Sequence, residues 1–330
     1  MDNLTHTLVG LMLARAGLDR GEKGAAVMIM LAANAPDIDG FAFFTDSLTY
    51  LQVHRGYMHS LVLAPFVALL PLAIVKLATR SRPTLLAYVG CLVALLSHLL
   101  LDWTNVYGVR LLLPVSAKWF HLDITDIIDP AIWALLLAAL AIPALIGLVS
   151  SEIASRKSGG PKRGWAWFAI LALLAYETGR SVAHDRAISI IDAHDYRGAP
   201  AERVSAYPVR LALRQWRGLV EGDGFIYEVP VDLSRDYDPS AGRFDFPATH
   251  SPLIDAARTT RAFQVFENFD QRPFWRISPM VDITRVELID LRFGSPQRAG
   301  FEATAMIEPD GRIAESRFSF GNPVDVTQTR

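Results

Sequence analysis

The sequence predicts a mainly α-helical protein, in which a polytopic membrane bundle of about six helices is followed by a small soluble α+β domain with an antiparallel sheet. Three observations support this prediction. The chain of 330 residues is 51% hydrophobic and has a mean hydropathy of +0.25, which is high for a soluble enzyme. Its charged fraction of 20% is too large for a chain that is embedded throughout. Long apolar runs give way to strand-like alternation after residue 183, so we place two domains at residues 1–183 and 184–330.

Charge and cysteine content exclude several classes of protein. Residues 1–183 carry 14 Lys/Arg and 12 Asp/Glu, a net charge of +2; residues 184–330 carry 18 Arg and 22 Asp/Glu, a net charge of −4. Neither part has the basic excess of a nucleic-acid-binding domain, so no nucleic-acid partner is expected. The single cysteine, Cys91, excludes an internal disulfide framework and a cysteine-based zinc cluster.

The first part contains six apolar segments. A membrane-spanning helix needs about 20 residues. Four segments approach that length, the last of them if it extends to about residue 182: His59–Ala78, Thr84–Leu101, Ala131–Ser150 and Trp165–Tyr176. Two shorter runs, Leu4–Ala16 and Gly24–Ala35, either cross with the help of their flanks or dip into the bundle.

Basic residues predict the orientation of these segments, because short cytoplasmic loops are rich in Lys and Arg. One set of loops holds ten: Arg15, Arg20, Lys23, Lys76, Arg80, Arg82, Arg156, Lys157, Lys162 and Arg163. The opposite set holds three: Arg55, Arg110 and Lys118. We therefore expect an integral protein of a bacterial-type inner membrane, with the second set of loops and the C-terminal domain on the extracytoplasmic side.

Alternation of apolar and polar residues predicts the strands of the C-terminal domain. The expected strands are Gly224–Val231, Arg261–Phe269, Thr284–Phe293, Gly300–Glu308 and Arg312–Phe320. Pro309-Asp310-Gly311 joins the last two and is typical of a hairpin turn.

Histidine and aspartate residues of the membrane part gather on its predicted outer side. They are His6, Asp37, Asp39, His54, His59, His98, Asp102, Asp123, Asp126 and Asp129. Because the orientation rests on Lys and Arg alone, this clustering is independent of it. Ionisable groups at the end of an apolar helix are costly and usually functional.

The spacing of these residues indicates a metal site. His98 and Asp102 are four residues apart, so their side chains lie on one helix face and can bind one ion. Asp37-x-Asp39 follows Pro36 and offers two carboxylates. A set of His and Asp without sulfur suits zinc, with manganese or magnesium as alternatives, and one or two ions. Such an ion lowers the pKa of bound water from 15.7 towards about 7, which favours hydrolysis.

Several of these residues also have a structural interpretation. Asp129 precedes Pro130, so capping of the next helix is favoured over metal binding. Asp123 and Asp126 remain open between the two roles, and His121 is an additional candidate ligand. The metal ligands are therefore predicted to be His6, Asp37, His54, His59, His98 and Asp102.

Four motifs, taken together and in order, resemble the YdjM-like family of inner-membrane, metal-dependent hydrolases. They are Asp2-Asn-Leu-Thr-His6, Asn34-Ala-Pro-Asp37-x-Asp39, His54-Arg-Gly-x-x-His59 and His98-x-x-x-Asp102, and the match covers roughly residues 1–180. The resemblance implies a hydrolase. The order of ligands is also similar to zinc-dependent phospholipase C and related single-strand nucleases, although a second His-x-x-x-Glu/Asp pair is missing here. The C-terminal domain looks like the extra domain of longer family members.

These observations predict a metal-dependent hydrolase that cleaves an ester, most simply a phosphoester of lipid or envelope material. Arg55 is expected to steady the anionic group of the substrate, and Asp39 to act as general base or as a ligand. The expected partners are membrane lipids. The sequence leaves two alternatives open: a structural or regulatory membrane protein stabilised by a metal, and an ion-coupled transporter.

Overall fold

A computed structural model describes residues 1–20, 23–153 and 162–321. The chain forms two compact units whose boundaries interleave along the sequence. The first comprises Met1–Asp39, Arg55–Asp185 and Pro208–Arg214; the second comprises Gly40–His54, Arg186–Tyr207 and Gln215–Arg330. Two short segments therefore belong to a different unit from their sequence neighbours. The predicted division between residues 183 and 184 is simpler than this and stays a prediction.

Helices build the first unit. They are α1 (Asn3–Leu13), α2 (Ala25–Ala32), α4 (Ala64–Val67), α5 (Leu69–Thr79), α6 (Leu85–Thr104), α7 (Pro130–Ile153) and most of α8 (Lys162–Asp192); α3 (Ser47–Val53) lies in the second unit. Short 3₁₀ segments cover Pro36–Phe44 and Tyr57–His59. Buried residues of α2, α5 and α6, such as Met28, Leu72 and Leu95, form the main apolar core.

The longest apolar helices fit a bilayer. The Thr84 hydroxyl accepts a hydrogen bond from the backbone N–H of Ala87 and so caps α6, whose 20 residues span about 30 Å, the thickness of the hydrocarbon layer. Within the described residues, two helices are long and apolar enough to cross a membrane, Leu85–Thr104 and Pro130–Leu148; the number rises to four if two bent helix pairs each count as one span.

The predicted count of six membrane helices is therefore not reached. The 11 residues of α1 and the 8 of α2 rise only about 16 and 12 Å, too short to cross the hydrocarbon layer by themselves. The basic residues Arg156 and Lys157, which helped to predict the orientation, lie outside the described residues.

The expected continuous span His59–Ala78 was wrong. The helices before and after residues 60–63 are bent by 89°, and the backbone N–H of Leu61 between them donates to the carbonyl of Leu111 at 2.9 Å. The Ser60 hydroxyl also donates to the Leu113 carbonyl. The helix therefore starts only after these contacts, and His59 stays in a 3₁₀ turn.

Two antiparallel four-stranded sheets dominate the second unit. The first has the order β3-β4-β5-β6, from β3 (Arg203–Pro208), β4 (Gln215–Gly222), β5 (Phe225–Asp232) and β6 (Arg243–Asp245). The second has the order β10-β9-β8-β7, from β7 (Pro273–Pro279), β8 (Thr284–Asp290), β9 (Phe301–Ile307) and β10 (Ile313–Phe320). A two-residue hairpin, β1 (Asp195–Tyr196) and β2 (Ala199–Pro200), and helices α9 (Pro252–Arg258) and α10 (Arg261–Phe269) complete the unit. The antiparallel sheet predicted for the C-terminal part is confirmed.

One predicted strand was wrong, because residues Arg261–Phe269 form helix α10. The apolar residues Ala262, Phe263, Phe266 and Phe269 are spaced by one, three and three positions, and all are buried. That spacing fits a period of 3.6 residues better than the period of two that a strand requires. Aromatic residues are common in strands, and their presence in this segment favoured the wrong prediction of a strand.

A buried carboxyl group gives the second unit a testable dependence on pH. Burial raises the pKa of Asp270 well above its usual range, and the negative charge of Asp290 raises it further. Asp270 in the folded protein therefore keeps its proton over a pH range in which the same group in the unfolded chain loses it. Stability is fully present below the unfolded pKa of about 3.9 and falls as the pH rises, by at most about 1.4 kcal/mol per pH unit.

We expect Asp270→Asn to flatten this dependence and to make the second unit more stable at neutral pH. Asparagine keeps an oxygen in the place of Asp270 Oδ1, which accepts from the backbone N–H of Arg272 at 2.8 Å. Hydrogen–deuterium exchange of α10 and β8 between pH 4 and 7 measures the effect. Equal pH slopes in the two proteins would contradict the assignment.

Candidate metal centre

Separate elements of the first unit bring the candidate ligands together. Helix α1 supplies His6, the 3₁₀ segment 36–44 supplies Asp37 and Asp39, and the turn 57–59 supplies His59. Helix α6 supplies His98 and Asp102 one turn apart near its C-terminal end, as their spacing predicts. The separation between His98 Nε2 and Asp102 Oδ2 is 3.2 Å.

Four donor atoms of these residues form a compact set: His59 Nε2, His98 Nε2, Asp37 Oδ1 and Asp102 Oδ2. The separations are 3.1 Å between the two imidazoles, 3.3 Å from His59 to each carboxylate, and 3.6 and 3.2 Å from His98 to Asp37 and Asp102. Tetrahedral zinc has metal–ligand distances of about 2.0–2.1 Å, which place the donors about 3.3–3.4 Å apart. Five of the six separations in the set are therefore close to those around one tetrahedral ion, and the set could hold a metal.

Proton positions within the cluster support this fit. His98 Nδ1 donates to the carbonyl oxygen of Ala33 at 2.7 Å, and His59 Nδ1 donates to Asp39 Oδ2 at 3.1 Å. If both rings are neutral and carry their protons on Nδ1, their Nε2 lone pairs point towards each other and towards two carboxylate oxygens. Four acceptors at this distance repel one another unless a cation lies between them.

His6 adds a fifth donor, the third imidazole, beside this set. Its ring stacks on His98 with 3.6 Å between ring centroids, and its Nε2 lies 3.6 Å from Asp102 Oδ1. The residue is 1% exposed, and within the described part of the chain neither ring nitrogen has a hydrogen-bond partner. Buried polar atoms without partners are rare in folded proteins and indicate a missing ion or water.

Positive charges balance Asp102 at Oδ1, the oxygen that is not part of the four-donor set. Its Oδ1 accepts from Arg55 Nη2 at 2.9 Å and from the amino group of Met1. Arg55 Nη1 in turn donates to Asn105 Oδ1 at 2.9 Å and to the Gly108 carbonyl at 3.1 Å. These contacts fix the carboxylate so that Oδ2 faces the other three donors of the set. Arg55 therefore forms an ion pair with Asp102. The expected role of Arg55 towards a substrate stays a prediction.

The other residues that the sequence singled out are not members of the four-donor set. His54 falls in the second unit at the C-terminal end of α3, where its ring stacks on Tyr50 with 4.6 Å between centroids, and its role as a ligand stays a prediction. His121 pairs with Asp123 at 2.9 Å. Asp126 forms an ion pair with Arg210 at 3.1 Å.

The helix-capping interpretation of Asp129 is confirmed. Its Oδ1 accepts from the backbone N–H groups of Ala131 and Ile132 at the start of α7, and Oδ2 accepts from the Tyr176 hydroxyl at 2.7 Å.

Sequence reasoning missed the groups that orient the ligands. The Ala33 carbonyl that holds His98 has no sequence signal, because every residue carries a backbone carbonyl. Asn105 follows Asp102 by three residues at the end of α6, and a polar residue just beyond the His-x-x-x-Asp motif could have drawn attention to it.

Asp39 is placed to orient His59, and this leads to a prediction. Because its Oδ2 accepts from His59 Nδ1, Asp39→Asn should weaken metal affinity about 10–100-fold without removing a donor of the four-atom set. Metal titration of the purified protein measures the change. Asp126→Asn, which alters a carboxylate paired with Arg210, is the control and should leave the affinity unchanged.

Comparisons with known proteins match the chain to a family model and to a relative. A family model described as "YdjM inner membrane protein" matches residues 1–187, more than half of the chain. "Uncharacterized protein YfhP" of Bacillus subtilis (strain 168) is 25% identical over 329 residues, which cover 96% of this chain and 94% of that protein. No solved structure matches the chain.

Proposed function

The chain belongs to the YdjM inner membrane protein family, and from this premise we propose that it is a membrane-embedded metal-dependent hydrolase that cleaves an ester. The observation that carries the proposal is the convergence of imidazoles and carboxylates: donor atoms of His59, His98, Asp37 and Asp102 lie close enough together to hold one ion, and His6 stands beside them. A closed structural zinc site needs four donors. The fifth donor is more than such a site requires.

The residues of the cluster have distinct roles in this proposal. His59, His98, Asp37 and Asp102 hold the ion, and His6 provides a further donor for it or for a second ion. When bound, a divalent cation of this kind activates a water molecule and polarises an ester oxygen. Nitrogen donors favour zinc over magnesium, and manganese is the alternative.

Exposure of the ligands indicates where a substrate would enter. The side chains of His59, His98 and Asp102 are fully buried, whereas that of Asp37 is 12% exposed. Asp37 Oδ2 accepts from the Asn3 side chain, which is itself exposed, at 2.8 Å. We propose that the substrate approaches along Asp37, and that Asp39, 8% exposed and bonded to His59, moves the proton of the attacking water.

A phosphoester of lipid or envelope material is the proposed substrate. His98 and Asp102 lie in the last two turns of α6, a helix of membrane-spanning length, so the ion would lie near one surface of the bilayer. Lipid headgroups occupy this level. Arg55, Met1 and the ion would offset the charge of the carboxylates and of a phosphate group. We further propose that this surface is extracytoplasmic.

Hydrolysis of an ester by the purified protein tests this function. The metal-loaded protein, in vesicles that contain phospholipid and a chromogenic phosphodiester, should turn over many substrate molecules per chain. A chelator should stop the reaction, and zinc or manganese should restore it.

A structural role for the metal is the second candidate, and one observation favours it. Three of the four donors have no exposed side-chain surface, as in closed structural sites. In that case chelation would lower the thermal stability of the protein, and the loaded protein would not cleave any ester offered. The same two measurements therefore separate the candidates.

A further inference from the structure

The loop of residues 208–214, with the sequence Pro-Val-Arg-Leu-Ala-Leu-Arg, connects β3 to β4 but is part of the first unit. Two contacts attach it there. Arg180 Nη1 of α8 donates to the carbonyl of Leu213 at 2.8 Å, and Arg210 Nε donates to Asp126 Oδ2 at 3.1 Å. The loop therefore has fixed partners next to the membrane helices.

The position of the loop along the bilayer normal follows from α7. The candidate span of this helix starts at Pro130, so the hydrocarbon layer begins near that residue. A cavity of about 280 Å³ lies between the loop, the start of α7, and Tyr176 and Arg180 of α8. Because the loop and Pro130 line the same cavity, a bilayer crossed by α7 would have the loop at the level of its lipid headgroups.

Side chains of the loop have the character of a membrane interface. Leu211 is 80% exposed and Leu213 is 58% exposed, so two large apolar groups have little protein around them. Arg210 and Arg214, both exposed, flank them. Leu211 has a φ of +65°, a conformation that is costly for a branched side chain and that is kept where surrounding contacts or function require it.

We propose that residues 208–214 form an interfacial anchor in which Leu211 and Leu213 insert into the acyl-chain border of an anionic phospholipid bilayer. Arg210 and Arg214 bind lipid phosphates above them. Lipid is the occupant that fits, because the loop lies at the end of a membrane helix and pairs exposed leucines with positive charge. The anchor lies outside residues 1–187, the part that matches the family.

Spin labels measure the depth of the loop directly. A nitroxide is attached at Leu211→Cys in a Cys91→Ala background, and the protein is reconstituted into vesicles of phosphatidylcholine and phosphatidylglycerol. Collisions with oxygen, which concentrates in the acyl region, are compared with collisions with a water-soluble nickel chelate. A label at Asp310→Cys, in the turn between β9 and β10, is the exposed control, and Leu213→Cys replaces Leu211→Cys if that variant does not fold.

Insertion predicts an oxygen-to-nickel collision ratio several-fold higher at Leu211 than at Asp310. Arg210→Gln with Arg214→Gln should then make the Leu211 label shallower in vesicles with phosphatidylglycerol. An oxygen-to-nickel ratio at Leu211 equal to that at Asp310 would overturn the anchor. Spin–spin broadening between labels would also overturn it, because such broadening would place a second copy of the chain on the loop. An unchanged depth in the double variant would overturn the assignment of the arginines.

Discussion

Replacing His98 by alanine is expected to remove the bound metal from the purified protein while membrane insertion stays unchanged. The side chain supplies one of four donors, and its Nε2 lies 3.1–3.6 Å from the other three. A tetrahedral site that loses one protein donor also loses the geometry that fixes the remaining three. Ester cleavage should fall to background with the metal.

Elemental analysis of the purified variant checks this prediction, and fractionation of membranes checks insertion. His121→Ala is the matched control, because His121 is also an imidazole in the first unit but pairs with Asp123 at 2.9 Å. That control should retain both metal and activity. Full metal content in His98→Ala would remove the basis of the proposed centre.

Local spacing in the sequence predicted part of this centre. His98 and Asp102 share a helix face whatever the rest of the fold does, because four residues make about one turn. Asp129 before Pro130 likewise predicted a cap, which depends only on its neighbours. Predictions from such local spacing are confirmed by the structure because few other interactions compete with the local ones.

Features that depend on distant contacts could not be predicted in this way. The break after His59 arises from hydrogen bonds to the backbone of Leu111 and Leu113, some 50 residues away. The four-donor set needs α6 to pack against the 3₁₀ segment that carries Asp37 and the turn that carries His59, an arrangement that no single segment encodes. In Arg261–Phe269, apolar residues fit both periods over a short stretch, and burial of one helical face decided the outcome.

Asp102→Asn is expected to have a double effect, loss of the metal and loss of stability. The substitution removes the negative charge that faces Arg55, whose side chain is only 3% exposed. A buried charge left without its partner destabilises a protein by about 3–5 kcal/mol. The unfolding temperature of the purified protein and its metal content should therefore both fall.

The double variant Asp102→Asn with Arg55→Met separates these two effects. Methionine removes the unpaired positive charge and keeps apolar volume next to the Tyr107 ring, over which the guanidinium lies at 4.6 Å. Thermal stability should therefore recover in part, whereas the metal should stay absent because Asp102 Oδ2 is still replaced.

The exposed pair Asp126→Asn with Arg210→Met is the control for charge removal as such, and it should change stability by about 1 kcal/mol or less. If the buried double variant unfolds at the same temperature as Asp102→Asn alone, the buried arginine is not the source of the instability. If Asp102→Asn keeps its metal, the carboxylate serves Arg55 and not the ion.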